Sequence, residues 1–160
     1  MNKQITVAVL ASGISIHTQR WVNSLSQKGL KIHLITQHPF IKNIDSSIKT
    51  HTLKIKNSLG YFLNAFELKK ILKHVQPDLL HAHYISGYGT LARLSGFPKI
   101  IMSAWGSDIF SFPKKNLWTK HLLKKNLAVS KVITSSSHIM KKEILKYTDR
   151  PVEVIPFGVD

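Results

Sequence analysis

Residues 5–11 read Ile-Thr-Val-Ala-Val-Leu-Ala, a β-branched and apolar run with no face to offer to water. A strand of that kind must be covered on both sides, as strands of buried parallel sheets are. Short apolar runs recur at residues 30–36, 79–83, 99–103, 131–134 and 152–155. Residues 48–55 instead alternate lysine, histidine and threonine with apolar residues, the habit of a strand nearer a sheet edge. Helical stretches separate these runs. Residues 18–28 carry Trp21, Val22 and Leu25 on one face, with Thr18 as the expected cap and Gly29 as the stop. Residues 59–75 form one expected helix with Leu68, Ile71, Leu72 and Val75 as its buried stripe. Residues 87–94, 117–127 and 136–147 supply three more, and residues 104–116 read as a loop through Phe112-Pro113. Connections too long for hairpins predict an α/β chain with a mostly parallel, doubly wound sheet and helices on both faces.

The strand ends carry the chemistry. Open α/β sheets place ligands outside the carboxyl ends of their strands. Three such ends stop abruptly at polar, aromatic and glycine residues: residues 12–17, His83-Tyr84, and Trp105-Gly106-Ser107-Asp108. Gly13 suits a loop whose backbone amides approach a ligand, or a plain tight turn. It is not the dinucleotide fingerprint, which needs three spaced glycines. His81 and His83 alternate along a strand and share one face. Two histidines can begin a metal site, but no third ligand is apparent nearby. His81 reads as a histidine bonded to its surroundings, and His83, at the strand end, reads equally as that or as a ligand contact. Trp105 offers an apolar wall and Gly106 permits close backbone approach. Asp108 reads either as an acceptor of hydrogen bonds from ligand hydroxyls or as a cap of the next turn.

Composition bounds the setting. The 160-residue chain has length for one domain, and 43% hydrophobic with 19% charged residues is globular composition. Cysteine is absent, so disulfides and thiolate metal sites are excluded. No apolar segment approaches the ~20 residues that cross a bilayer. The start of the chain reads as lacking a signal peptide, so a cytoplasmic location is expected. A formal charge of +15 would attract nucleic acid, anionic lipid or phosphorylated substrates. Arginine is confined to Arg20, Arg93 and Arg150, and no nucleic-acid-binding motif is present, which argues against base or phosphate readers. Residues 114–125 mix Leu117, Trp118, Leu122 and Leu123 with five lysines, as an ordinary surface helix or one lying on an anionic membrane would.

Taken in order, these stretches resemble a known family. His17-Thr18-Gln19-Arg20-Trp21-Val22 with Leu25 and Gly29, His81-Ala82-His83 after Pro77-Asp78, Gly87-Tyr88-Gly89, Gly106-Ser107-Asp108 and the closing Pro156-Phe157-Gly158-Val159-Asp160 are similar to the GT-B glycosyltransferases, closest to glycosyltransferase family 4. The resemblance implies two Rossmann-like domains facing a cleft. The N-terminal domain mainly binds the acceptor, and the C-terminal one binds a nucleotide-sugar and carries paired glutamates. Residues 1–160 correspond to the N-terminal half, which is expected to be inactive alone. The intact enzyme would be bacterial, would take part in polysaccharide synthesis and would move a hexose with retention to a glycan or lipid-linked acceptor. The nucleotide-sugar is then a substrate, and neither metal nor other cofactor is expected. The implied substrate contacts are Gly13, His17, His83, Tyr84, Trp105, Gly106, Ser107 and Asp108. Trp105 stands where many relatives hold a histidine against the transferred sugar, which leaves His17, His83, Asp108 or backbone atoms to replace it. His83 and Asp108 are the catalytic candidates. The competing reading is a non-catalytic basic module that binds sugar phosphates or an anionic membrane surface.

Overall fold

The computed structural model describes residues 4–40 and 43–156. These form one seven-stranded sheet: β1 (Thr6–Leu10), β2 (Lys31–Thr36), β3 (Lys49–Thr52), β4 (Leu79–His83), β5 (Ile100–Ser103), β6 (Ser130–Ser135) and β7 (Val152–Val154). Every pairing is parallel, and the order is β3-β2-β1-β4-β5-β6-β7. The alternating strand lies at an edge, as its lysines and histidine predict. The order reverses between β1 and β4, the switch point where such sheets open a crevice. Residues 157–160 of the terminal Pro-Phe-Gly-Val-Asp segment lie outside the described residues.

Each sheet face has its own core. On one, α1 (Ile16–Gln27) sets Val22 against Val7, Val9, Ile32 and Leu34. On the other, α3 (Ala65–Val75), α4 (Tyr88–Ser95), α6 (Leu117–Val129) and α7 (His138–Ile144) pack Leu68, Leu72, Leu91, Leu123, Leu127, Met140 and Ile144 with Ala8, Leu10, Leu80, Ala82 and Met102. Residues of opposite parity along β1 and β4 thus meet different helices, the arrangement that makes both faces apolar.

Four local expectations change. The N-cap of α1 is Ser15, whose extended backbone starts the ladder through its carbonyl to Gln19 N–H at 3.1 Å, while Thr18 is buried within the first turn. The stretch 59–75 splits into α2 (Gly60–Leu63) and α3. Asn64 causes the break: its side chain accepts from Ile55 N–H at 3.1 Å and donates to Ile55 O at 2.8 Å, fastening the helix to the preceding loop. The expected loop after β5 contains α5 (Ser107–Phe110) and a 3-10 turn at Phe112–Lys114. Lys114 and Lys115 therefore precede the basic helix, which begins at Leu117 under a capping box between Asn116 and Thr119.

Asn126 links α6 to the loop after β4 and to α4. Fully buried, it donates to Ile85 O at 2.9 Å and Thr90 Oγ1 at 2.8 Å, and accepts from Arg93 Nε at 2.9 Å. Asn126→Ala strands Ile85 O and Arg93 Nε, while Thr90 keeps its bond to Ser86 O at 2.7 Å, so urea unfolding should show a loss of about 3 kcal/mol at unchanged m-value.

Candidate functional site

The carboxyl ends of β1, β2, β4 and β5 converge at the switch point. A cavity of about 210 Å³ opens there, lined by Ser12, His38, Tyr61, His83, Tyr84, Tyr88 and Trp105. It holds four aromatic rings, two imidazoles and a hydroxyl, and no side chain of fixed charge.

Asp108 shapes its wall. The side chain is 0% exposed; Oδ1 accepts from the Trp105 and Gly106 amides at 3.0 and 2.9 Å, and Oδ2 from Ile85 N–H at 2.8 Å. One carboxylate thus fixes the loop after β4 to the loop after β5. Burial pushes its pKa up, and the backbone amides of Ile85, Trp105 and Gly106 pull it back. Of the two readings of Asp108, this geometry is that of a side chain that binds backbone: both oxygens accept from main-chain amides and position the two loops.

The loops it ties are bent. Gly106 sits at φ +116°, and Tyr84 at φ +71°, where a side chain costs roughly 1 kcal/mol or more. Tyr84 is held there by its N–H to Ser103 O at 3.0 Å and its hydroxyl 3.2 Å from the exposed Ser107 Oγ. Gly13 is a glycine because a Cβ would lie 2.5 Å from Pro39 O. Its N–H already donates to Thr36 Oγ1 at 3.0 Å, so this amide is not available to a donor phosphate. His17, on the first turn of α1, sets its ring edge-on to Trp105 at 5.5 Å.

His81 and His83 do share one sheet face, with ring centroids 4.5 Å apart and Trp21 of α1 packed edge-on to both at 5.4 and 5.7 Å. His81 Nε2 meets Ser103 Oγ at 2.7 Å, and that hydroxyl meets Thr134 Oγ1 at 2.6 Å, a polar line across β4, β5 and β6. His83 is 1% exposed, and among the described residues neither ring nitrogen has a hydrogen-bond partner. The Trp105 ring lies 5.4 Å from it, and both residues line the cavity. Burial lowers the His81 pKa to about 4 and takes His83 well below its ordinary value, with His81 adding to the shift. Both imidazoles are neutral at pH 7. Among the described residues no cluster of three or more His, Asp or Glu is placed to hold a metal.

Four lining residues were not among the expected contacts: Ser12, next to the expected Gly13, and His38, Tyr61 and Tyr88. Tyr88 Oη is the centre of a network with Thr36 Oγ1 at 3.0 Å, Gln37 N–H at 3.1 Å and His38 Nδ1 at 2.6 Å. Tyr61 packs edge-on to Tyr88 at 5.3 Å and touches Gly87, where a Cβ would fall 2.8 Å from its ring. The available signal was positional, since His38 ends a strand beside the switch point.

The profile of the glycosyl transferase 4-like family matches residues 6–137. The chain belongs to that family. No curated protein sequence matches it. Among solved structures it is similar to sucrose-phosphate synthase from Thermosynechococcus elongatus (TM-score 0.74, 13% identity, covering 98% of this chain and 49% of that one). It is also similar to a glycosyltransferase from Rickettsia africae (0.68, 18%, 99% and 44%) and to Acinetobacter baumannii MurG (0.65, 16%, 98% and 46%). The chain spans about half the length of these structures. At such identities the likeness concerns the fold: a Rossmann-like half of the GT-B type.

The buried histidines set a pH dependence. A folded-state pKa below the unfolded value means that the unfolded chain binds more protons between the two, so stability rises with pH in that window. His81 alone, from about 6.5 to about 4, should cost about 3 kcal/mol as pH falls through that range, and His83, His33, His38 and His51 act in the same direction. Urea midpoints at constant ionic strength should fall steeply between pH 6.5 and 4, and less steeply in His81→Gln.

Proposed function

We propose that this chain is the acceptor-side half of a retaining glycosyltransferase that transfers a hexose from a nucleotide-sugar to a glycan or lipid-linked acceptor. The observation that carries this reading is the uncharged, aromatic cavity at the switch point of a chain from a glycosyltransferase family. Ring faces suit the apolar faces of sugar rings, and neutral imidazole and phenol groups suit hydroxyls. A cavity without lysine or arginine suits a sugar better than its phosphates, whose charge would be met by helix N-termini in a second, nucleotide-binding half. Ile14 and Ile16, more than half exposed beside the glycine loop, are apolar surface for that half to cover.

Within the site the residues act by position. Asp108 aligns the loops, Trp105 and Tyr84 wall the sugar, and His83 offers one donor and one acceptor to a hydroxyl once Trp105 yields access. Such alignment lowers the barrier by holding the acceptor oxygen near the reacting carbon.

Membrane contact belongs to the same reading. Trp118 is 60% and Leu117 84% exposed, so they leave the buried stripe Thr119, Leu122, Leu123, Asn126 and Leu127 and face outward. Trp118 meets Phe62 of α2 at 6.4 Å, beside exposed Leu59, Leu63 and Phe66, and Lys70 stands over the Phe66 ring at 4.6 Å. Exposed Lys114, Lys115, Lys120 and Lys124 adjoin it in sequence. Aromatic residues ringed by lysine fit an anionic lipid surface. Among the described residues no helix is long and apolar enough to cross a membrane.

Two outcomes are expected. The protein carrying its nucleotide-binding half should release nucleoside diphosphate from one member of a nucleotide-sugar panel and keep the anomeric configuration, whereas residues 1–160 alone should not. Inversion, or no transfer by the longer protein, would contradict the reading. Sedimentation with phosphatidylglycerol vesicles should fall at least about tenfold in Phe62→Ser/Trp118→Ser, and equal binding to neutral vesicles would contradict the lipid partner.

A further inference from the structure

The hydrogen bonds around Tyr88 fix the proton on a residue with no assigned role. Thr36 Oγ1 accepts from Gly13 N–H and from His38 N–H, both at 3.0 Å, which uses its two lone pairs. Its own proton therefore goes to its remaining neighbour, Tyr88 Oη, at 3.0 Å. Tyr88 Oη also accepts from Gln37 N–H at 3.1 Å, so its acceptor capacity is filled as well. The phenol proton is left for His38 Nδ1, the shortest contact of the set at 2.6 Å. Nδ1 must be bare to receive it. His38 is then the neutral tautomer with its proton on Nε2, and among the described residues that N–H has no hydrogen-bond partner.

We propose that His38 is a specificity-determining residue that donates its Nε2–H to an oxygen of a neutral, hydroxylated ring seated in the switch-point cavity. This rests on the reading of the chain as a glycosyltransferase half and names the class of ligand taken at its site. The cavity wall supports it: the His38 ring lines the space with Tyr61, Tyr84 and Trp105, and none of the lining side chains carries a fixed charge. The chain of donors runs in one direction only, from backbone amides through Thr36 and Tyr88 to His38, so the ring is locked as a donor rather than a base. A base at this position would need Nδ1 or Nε2 free to take a proton; Nδ1 is occupied and Nε2 is already protonated. Protonating Nδ1 would set two donors against each other across 2.6 Å, and burial also disfavours the cation. The groups facing the ring are Thr36, Gln37, Tyr61 and Tyr88, with His83 and Tyr84 elsewhere on the cavity wall; none of these is an anion at neutral pH that would stabilise a charged imidazole.

The test is ring-nitrogen NMR of the intact protein with ¹⁵N-histidine, with methyl glycosides of common hexoses and, separately, glucose 1-phosphate as probes. At pH 7 the His38 signals should report the Nε2–H tautomer, and a methyl glycoside should shift the Nε2–H resonance. Tyr88→Phe should scramble the tautomer and weaken glycoside binding by about tenfold, the value of one hydrogen bond. His38→Gln, which keeps a donor near Nε2, should retain most of the affinity that His38→Leu loses. Circular dichroism of each variant separates these effects from misfolding. An Nδ1–H tautomer, a cationic ring at pH 7, or glycoside binding indifferent to His38→Leu would overturn the proposal, as would preference for the sugar phosphate. Transfer activity reports separately. An active transferase whose acceptor KM ignores His38 sinks this inference alone, while glycoside binding in a protein that transfers nothing sinks only the enzymatic reading.

Discussion

One buried carboxylate organises the functional edge of this molecule. Asp108 holds Ile85, Trp105 and Gly106 by their backbone amides and so joins the loops that leave β4 and β5. Those loops begin with residues the sheet has already fixed, but their continuation is costly: Tyr84 and Gly106 both take positive φ. A charged acceptor shared by several amides is worth more than neutral hydrogen bonds and can hold such conformations against their strain. The wall of the cavity depends on that tie. The price is an ionisable group fully buried in the interior.

The same edge gives up apolar burial elsewhere. His81, Ser103 and Thr134 occupy positions on strands that core residues would otherwise fill, and they satisfy one another across three strands. His83 sits one step further along the same face with no hydrogen-bond partner among the described residues. A buried polar group left unpaired costs about 1–3 kcal/mol. His38 differs. Its Nδ1 is spoken for by Tyr88, and only its second nitrogen is left for a ligand. The two histidines bracket one cavity from opposite sides of the switch point, one on β4 and one after β2.

Much of the fold was legible because it is written in periodicity. Unbroken apolar runs gave parallel strands, the alternating run gave the edge strand, and strand parity placed His81 and His83 together. The family likeness drawn from the motifs agrees with the profile match over residues 6–137. What escaped was written in bonds between side chains and distant backbone. Asn64 breaks a helix whose stripe continues past it, because its amide finds Ile55 nine residues back. Asp108 looks like a surface acid beside a glycine until Ile85, 23 residues away, is seen to donate to it. His38 reads as strand punctuation before a proline, and only the path from Thr36 to Tyr88, 52 residues apart, gives it a defined proton. Local patterns carry no trace of such pairings.

The account turns on the cavity being a sugar site and not a phosphate site. A crystal structure of the protein together with the nucleotide-binding half proposed for it, in complex with a nucleotide-sugar and an acceptor, tests this most directly. A neutral sugar ring should lie against Trp105 and Tyr84, with hydroxyls within hydrogen-bond distance of His38 Nε2 and His83, and the diphosphate outside the cavity. A diphosphate seated among His38, His83 and Tyr88 would contradict it.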